Sequence, residues 1–155
     1  MSHPLINQQA PKSFVLKNDK DESVDLSQII GDGTHSVVLF FYPKDNTYGC
    51  TKEACSFRDN YEVISELDAI VMGVSGDSAR SHETFVKQHK LPFPLLSDKE
   101  GKLRSGLQVP KWYFGLPGRT TYVISKEGVI LDVFDSQIGF NQHVTRAIKV
   151  LEENK

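Results

Sequence analysis

The sequence predicts an α/β fold, a central mixed β-sheet flanked by helices. SVVLFFYP at residues 36–43 and AIVMGVS at 69–75 are continuous apolar runs, partly β-branched, as in strands buried on both faces. Each is followed by a stretch with apolar residues at helical spacing, TKEACSFRDNYEVISEL and ARSHETFVKQHK. RTTYVIS, a KEG turn and VILDVFD give the strongest hairpin signal in the chain. Strand, helix, strand, helix, hairpin and a last helix describe helices packed on a sheet whose strands run in both directions.

Taken in order, SFVLKN and VDLSQII flank the charged DKDES and predict a short hairpin leading into one helical turn. SVVLFFYP ends at Pro43, and its connection to AIVMGVS should cross over right-handed. After the polar loop KDNTYG, the stretch from Cys50 reads as one continuous helix. Its apolar stripe is Ala54, Phe57, Tyr61, Ile64 and Leu67. ARSHETFVKQHK stops before the prolines of LPFP, and a cis peptide there is not decided by sequence. PLLSD predicts a short strand and GKLRSGLQV a short helix, with Asp98 and Lys99 in a solvated turn. KWYFGLPG is an aromatic, glycine-rich loop in which Trp112, Tyr113 and Phe114 suit core or pocket-rim packing. NQHVTRAIKVLEE closes the chain as an amphipathic helix. There is no internal repeat or long linker, so residues 1–155 read as one domain.

Composition narrows the function. Apolar residues make up 39% and charged residues 25%, which fits a globular core rather than a disordered chain. A net charge of −2 offers no electrostatic footprint for nucleic acid. The longest apolar run, VVLFFY, falls far short of the ~18 residues of a membrane span. MSHPLINQQAPKSF has neither a basic start nor an apolar core, so cytoplasm is the expected compartment, with a plastid as alternative if a transit segment has been removed. Two cysteines are too few for a disulfide scaffold.

Those two cysteines, Cys50 and Cys55, lie together in FYPKDNTYGCTKEAC. On a regular helix Cys50 projects about 20° from Phe57 and Cys55 about 160° away, so the first faces inward and the second faces water beside Lys52, Asp59 and Glu62. The first turn of a helix, with unpaired N–H groups and the positive end of the dipole, favours a thiolate at Cys50. Thr47 is placed either to cap the helix or to bring a hydroxyl near the sulfur. Five residues apart on a helix, the two Cα atoms stand about 8.7 Å from one another. A disulfide seldom tolerates more than ~7 Å, so joining them requires the first turns to unwind. The loop it would close is too short to stabilise much, about 2 kcal/mol. A reversible redox couple and two incidental thiols both fit this spacing.

Other chemistry finds little support. No Cys or His cluster with metal-ligand spacing surrounds the pair, and CxxC is absent. His3, His35, His82, His89 and His143 form no ligand pattern, since HETFVKQH is not HExxH, and surface or packing roles are expected for them. VSGDS lacks the glycine spacing of a nucleotide-binding loop.

Pro43, Thr47 and Cys50 in PKDNTYGC match the Pro-x-x-x-Thr-x-x-Cys signature of peroxiredoxins, and Cys55 resembles the resolving cysteine of the Q-type, bacterioferritin comigratory protein-like branch. GVSGDSARSHETF, LPFPLLSDKEGKLR and FGLPGRTTYVISKEG are similar to the same branch, the last especially to plant and cyanobacterial members. The resemblance implies a thioredoxin-like fold and a peroxidase acting on hydrogen peroxide or organic hydroperoxides through a Cys50 sulfenic acid and a Cys50–Cys55 disulfide. It implies that Thr47 hydrogen-bonds the sulfur and the peroxide, and that Pro43 shields the pocket. Arg119 would hold the thiolate, and Glu53 would orient Arg119. No metal, haem or flavin is implied. Thioredoxin or glutaredoxin would serve as reductant, and an internal resolving cysteine is consistent with a monomer. The sequence departs from the family at Tyr48, where proline is usual, which loosens the loop without removing a catalytic group.

Overall fold

The computed structural model describes residues 3–111 and 118–155. The aromatic segment with Trp112, Tyr113 and Phe114 lies outside the described residues. The short hairpin forms as β1 (Val15–Asn18) and β2 (Ser23–Asp25), and a 3₁₀ turn follows at Leu26–Gln28. Asp25 caps that turn, its carboxylate accepting the Ser27 N–H at 3.0 Å. Then come β3 (Ser36–Phe41), α1 (Tyr48–Asp59), α2 (Tyr61–Glu66), β4 (Ala69–Ser75) and α3 (Ala79–His89). After these, β5 (Leu95–Ser97), α4 (Lys102–Gly106), β6 (Thr120–Ile124), β7 (Ile130–Asp135) and α5 (Phe140–Glu153) complete the chain.

The strands form one mixed sheet in the order β2-β1-β5-β4-β3-β6-β7. β3 and β4 run parallel, as do β4 and β5, while β6 lies antiparallel to β3 and pairs with β7. β3 is central and buried at every position, which is why its sequence is continuously apolar. Its alternate residues divide between two cores. Val38 and Phe40 face α1, α2, α3 and α5, where Phe57, Ile64, Phe85 and Val144 are also buried. Val37, Leu39 and Phe41 face the opposite layer with Leu26, Leu103 and Leu107. No cis peptide bond occurs among the described residues, so LPFP is trans.

Three expectations are corrected. The helix from Cys50 is not continuous, because it breaks at Asn60, whose side chain turns back to donate to the Ser56 carbonyl at 2.8 Å. The apolar stripe survives the break: Ala54, Phe57 and Ile64 are buried, with Tyr61 and Leu67 packed against them. Asp98 is buried rather than solvated, and its carboxylate takes the Leu103 and Arg104 N–H groups at the start of α4. His82 and His143 are wholly buried and hydrogen-bonded within polar networks, unlike the surface or packing roles expected of them.

Candidate active site

Cys50 is the third residue of α1, and its burial follows from the helix period: Cys50, Glu53, Ala54 and Phe57 line the inward face. The thiol is 1% exposed, in the turn whose N–H groups lack intrahelical acceptors. Arg119 arrives from the other side. The register of β6 on β3 sets Thr120 opposite Phe41, so Arg119, just before Thr120, sits beside the loop that leaves β3 toward Cys50. Its Nη1 donates to Cys50 Sγ at 3.4 Å and to Glu53 Oε1 at 2.9 Å. Its Nε donates to the Gln137 carbonyl at 3.3 Å, and the guanidinium lies 5.0 Å from the centre of the Phe140 ring. Burial alone would lower the Arg119 guanidinium; the charge Glu53 gains once it ionises in alkaline solution, and that of Cys50 beside it, reverse this and raise it, so it stays cationic.

Two glycines make this approach feasible. A β-carbon at Gly49 would lie 2.9 Å from Arg119 Nη2 and 2.8 Å from the Phe140 ring. One at Gly118 would collide with the Pro110 carbonyl oxygen. Arg104 reaches from α4 toward the carbonyls of Gly118 and Tyr42, 3.4 Å from each, linking the segment before Arg119 to the end of β3.

The loop between β3 and α1 is tied down at Asp45. Its carboxylate accepts from the Tyr42 hydroxyl at 2.6 Å and the Ser81 hydroxyl at 2.8 Å, and lies 2.8 Å from His82 Nδ1. His82 Nε2 in turn is 3.0 Å from the Leu96 carbonyl. Burial would push the Asp45 carboxyl up, but the His82 and hydroxyl contacts outweigh it and hold the group below the usual carboxylate range. Asp45, Asp77 and His82 could together reach a cation, their ligand atoms lying within 4.8 Å of one another. Each is already engaged, Asp77 Oδ2 by the Asp45 N–H and the Ser75 hydroxyl, so the cluster serves as a tether for the loop.

The sequence-predicted residues are thus partly gathered. Cys50, Glu53 and Arg119 are in contact. Thr47 occupies the N-cap position but does not cap, and it does not contact the sulfur here: its hydroxyl donates to the Lys44 carbonyl at 2.8 Å and the residue is exposed. Pro43 is half-buried in the same loop. Cys55 is a free thiol on the opposite side of α1, half-buried rather than fully in water. It lines a groove of about 890 Å³ between α1 and α5, together with Lys52, Asp59, Val144 and Ile148. Glu62, beyond the break at Asn60, is not part of that lining. Tyr48 projects into solvent, its ring set edge-on to Phe140.

His143 belongs to the site although sequence reasoning set it aside. It shares a buried face of α5 with Val144, Ala147 and Leu151, and a histidine in register with such a stripe is the signal that marks it. Its Nδ1 lies 3.3 Å from Glu53 Oε2.

Comparison with known proteins agrees with this geometry. The AhpC/TSA family profile matches residues 6–133. Peroxiredoxin Q, chloroplastic, of Sedum lineare is 46% identical over 146 residues, which cover 94% of this chain and 77% of that protein. Among solved structures, peroxidoxin BcpB of Mycobacterium tuberculosis superposes with a TM-score of 0.88 at 33% identity, covering 99% of each chain. The bacterioferritin comigratory protein of Xanthomonas campestris, described for its alkyl peroxide reduction activity, gives a TM-score of 0.82 at 27% identity over 91% of each. The mixed sheet with its flanking helices is the thioredoxin-like fold of these proteins, and the chain belongs to the AhpC/TSA family, in its peroxiredoxin Q branch.

Proposed function

We propose that Cys50, as a thiolate, reduces hydrogen peroxide and organic hydroperoxides, and that Cys55 then resolves it as a Cys50–Cys55 disulfide. Family membership supports the coarser statement, peroxide reduction by a thiol. The observation that carries the assignment to Cys50 is the buried guanidinium of Arg119, 3.4 Å from a sulfur in the first turn of α1. The sulfur attacks one peroxide oxygen and the O–O bond breaks. Its electron pair leaves with the other oxygen, which takes a proton and departs as water or alcohol, leaving Cys50 a sulfenic acid. Arg119 and the first-turn N–H groups face the charge that builds on those oxygens. Thr47 and Pro43 shape the mouth of the pocket, Thr47 turning its hydroxyl to the peroxide, and Glu53 orients Arg119.

Both cysteines lie within one unbroken helix, so α1 must unwind before Cys55 reaches the sulfenic sulfur. The Cys55 thiolate then forms the S–S bond, and the expelled hydroxide takes a proton to leave as water. An external dithiol of the thioredoxin or glutaredoxin class reduces the disulfide and is itself oxidised. Alkyl peroxide reduction by the Xanthomonas relative supports organic hydroperoxides as substrates. No step requires a second subunit, consistent with a monomer. No helix among the described residues is long and apolar enough to cross a membrane. The relative from Sedum is chloroplastic, which favours the plastid alternative over the cytoplasm.

The test is thiol count and mass after one equivalent of peroxide. Both thiols should be lost within seconds, without dimers and with a mass lower by two hydrogens. Cys50→Ser should abolish the reaction, and Cys55→Ser should leave a trappable sulfenic acid. Thiols unchanged on that timescale would show a non-catalytic module on this scaffold instead.

A further inference from the structure

Arg119 is 6% exposed, so its charge has lost most of the water that would otherwise surround it. Its hydrogen bonds do not account for how its plane is set. Guanidinium N–H groups donate within the plane of the group. Nη1 meets Cys50 Sγ and Glu53 Oε1, and Nε meets the Gln137 carbonyl. Contacts of this kind fix the group along its plane, but they leave it able to rock about the line through Nη1 and Nε. Of the two oxygen contacts only that to Glu53, at 2.9 Å, has ordinary length, while that to Gln137 is stretched to 3.3 Å. A guanidinium held this way needs something against its face.

That something is a ring. Phe140 is the first residue of α5 and lies one turn before His143 and Val144, so it continues the buried face of the helix beyond the apolar core. There the face meets Arg119, with the guanidinium carbon 5.0 Å over the centre of the ring. No other aromatic face lies in such range of Arg119 among the described residues. The ring is itself boxed in by the start of α1. Its edge stands so near Gly49 that a β-carbon there would come within 2.8 Å, and Tyr48 sets its own ring edge-on to it, centres 6.4 Å apart.

We propose that Phe140 is a positioning residue for Cys50: its π face takes the place of water on one side of the Arg119 guanidinium and holds the plane of that group turned to the sulfur. It acts on the sulfur through Arg119. A leucine at this position would fill much of the same space and offer the cation no negative face.

The inference rests on the proposed function for Cys50 as the reacting thiol, but its first readout needs no peroxide. In a Cys55→Ser background, the pH midpoint of iodoacetamide alkylation at Cys50 reports how firmly the guanidinium stands beside the sulfur. Phe140→Leu should raise that midpoint by about 0.5 and slow the reaction of Cys50 with hydrogen peroxide about five-fold. Phenylalanines with successively more ring fluorines, placed at position 140 alone, keep nearly the outline of the ring while draining its negative face. The midpoint should climb along that series, which a ring that only fills space would not produce. Equal midpoints across the folded series would overturn the proposal. So would a slower peroxide reaction with the midpoint unmoved, because Phe140 would then act on the peroxide and not through Arg119. Should Phe140→Leu fail to fold, the fluorinated series decides by itself. Midpoints that shift as expected in a protein that never reacts with peroxide, wild type included, would sink the peroxidase reading and leave the role of Phe140 standing.

Discussion

Gly49 is fixed by its neighbours rather than by its own backbone, since the space where a β-carbon would stand is taken by Arg119 and Phe140. Gly49→Ala must therefore displace the guanidinium or the ring. We expect the rate of Cys50 with peroxide to fall at least about ten-fold, equivalent to about 1.4 kcal/mol of transition-state stabilisation. Rapid-mixing kinetics at neutral pH would measure it, and an unaltered rate would show that the Arg119 position does not matter. At this scale the sequence was informative where the helix period applies. Cys50 inward and Cys55 toward the other side follow from 100° per residue, and Glu53 on the buried stripe could have been recognised as a burial signal by the same rule. Arg119 was out of reach for such reasoning, because 69 residues separate it from Cys50 and only strand pairing brings them together. Family resemblance supplied it. His143 and His82 were passed over because a search for ligand spacing does not detect a histidine that serves another side chain.

On the proposed mechanism, α1 must be stable enough to hold Cys50 against Arg119 and weak enough to release it. Its sequence suits that balance: Thr51 and Ser56 are poorer helix formers than alanine, and neither side chain of this pair forms a cap for α1. Thr51→Ala with Ser56→Ala should strengthen the helix by on the order of 1 kcal/mol and slow disulfide formation about five-fold. Because sulfenic acid would then persist, the fraction of Cys50 driven to sulfinic acid at a given peroxide concentration should rise, as read by mass spectrometry. No change in that fraction would mean that helix opening does not limit resolution. The existence and type of the elements were legible in the chain, with boundaries close to those observed. What escaped was the interruption at Asn60, where the apolar period continues across a break made by one side-chain hydrogen bond. The burial of Asp98 escaped for a similar reason, since a capping carboxylate and a solvated one look alike in sequence.

For the molecule as a whole, the buried acid and base make stability depend on pH in opposite senses. Glu53 keeps its proton in the folded chain up to about 8, whereas the unfolded chain releases it near the usual 4.5, so folding weakens as pH rises across that window. His143 stays neutral in the fold down to about 4, whereas the unfolded chain takes up a proton near 6.5, so its contribution is complete above 6.5 and is lost as pH falls toward 4. Between pH 6.5 and 8 only the Glu53 trend remains of the two. The denaturation midpoint of the reduced wild type should fall across that interval relative to Glu53→Gln, which has no proton to lose. Parallel curves for the two proteins would show that Glu53 is already ionised in the fold.

The interruption at Asn60 acts as a firebreak. α2 begins its own ladder there, the Ile64 N–H bonding the Asn60 carbonyl at 3.1 Å. Phe57, stacked on Phe40 with ring centres 4.5 Å apart, moors the far end of α1 to the central strand. On the proposed mechanism, the excursion that brings the two sulfurs together would thereby be confined to the dozen residues of α1, and the floor of the molecule would sit out each turnover undisturbed.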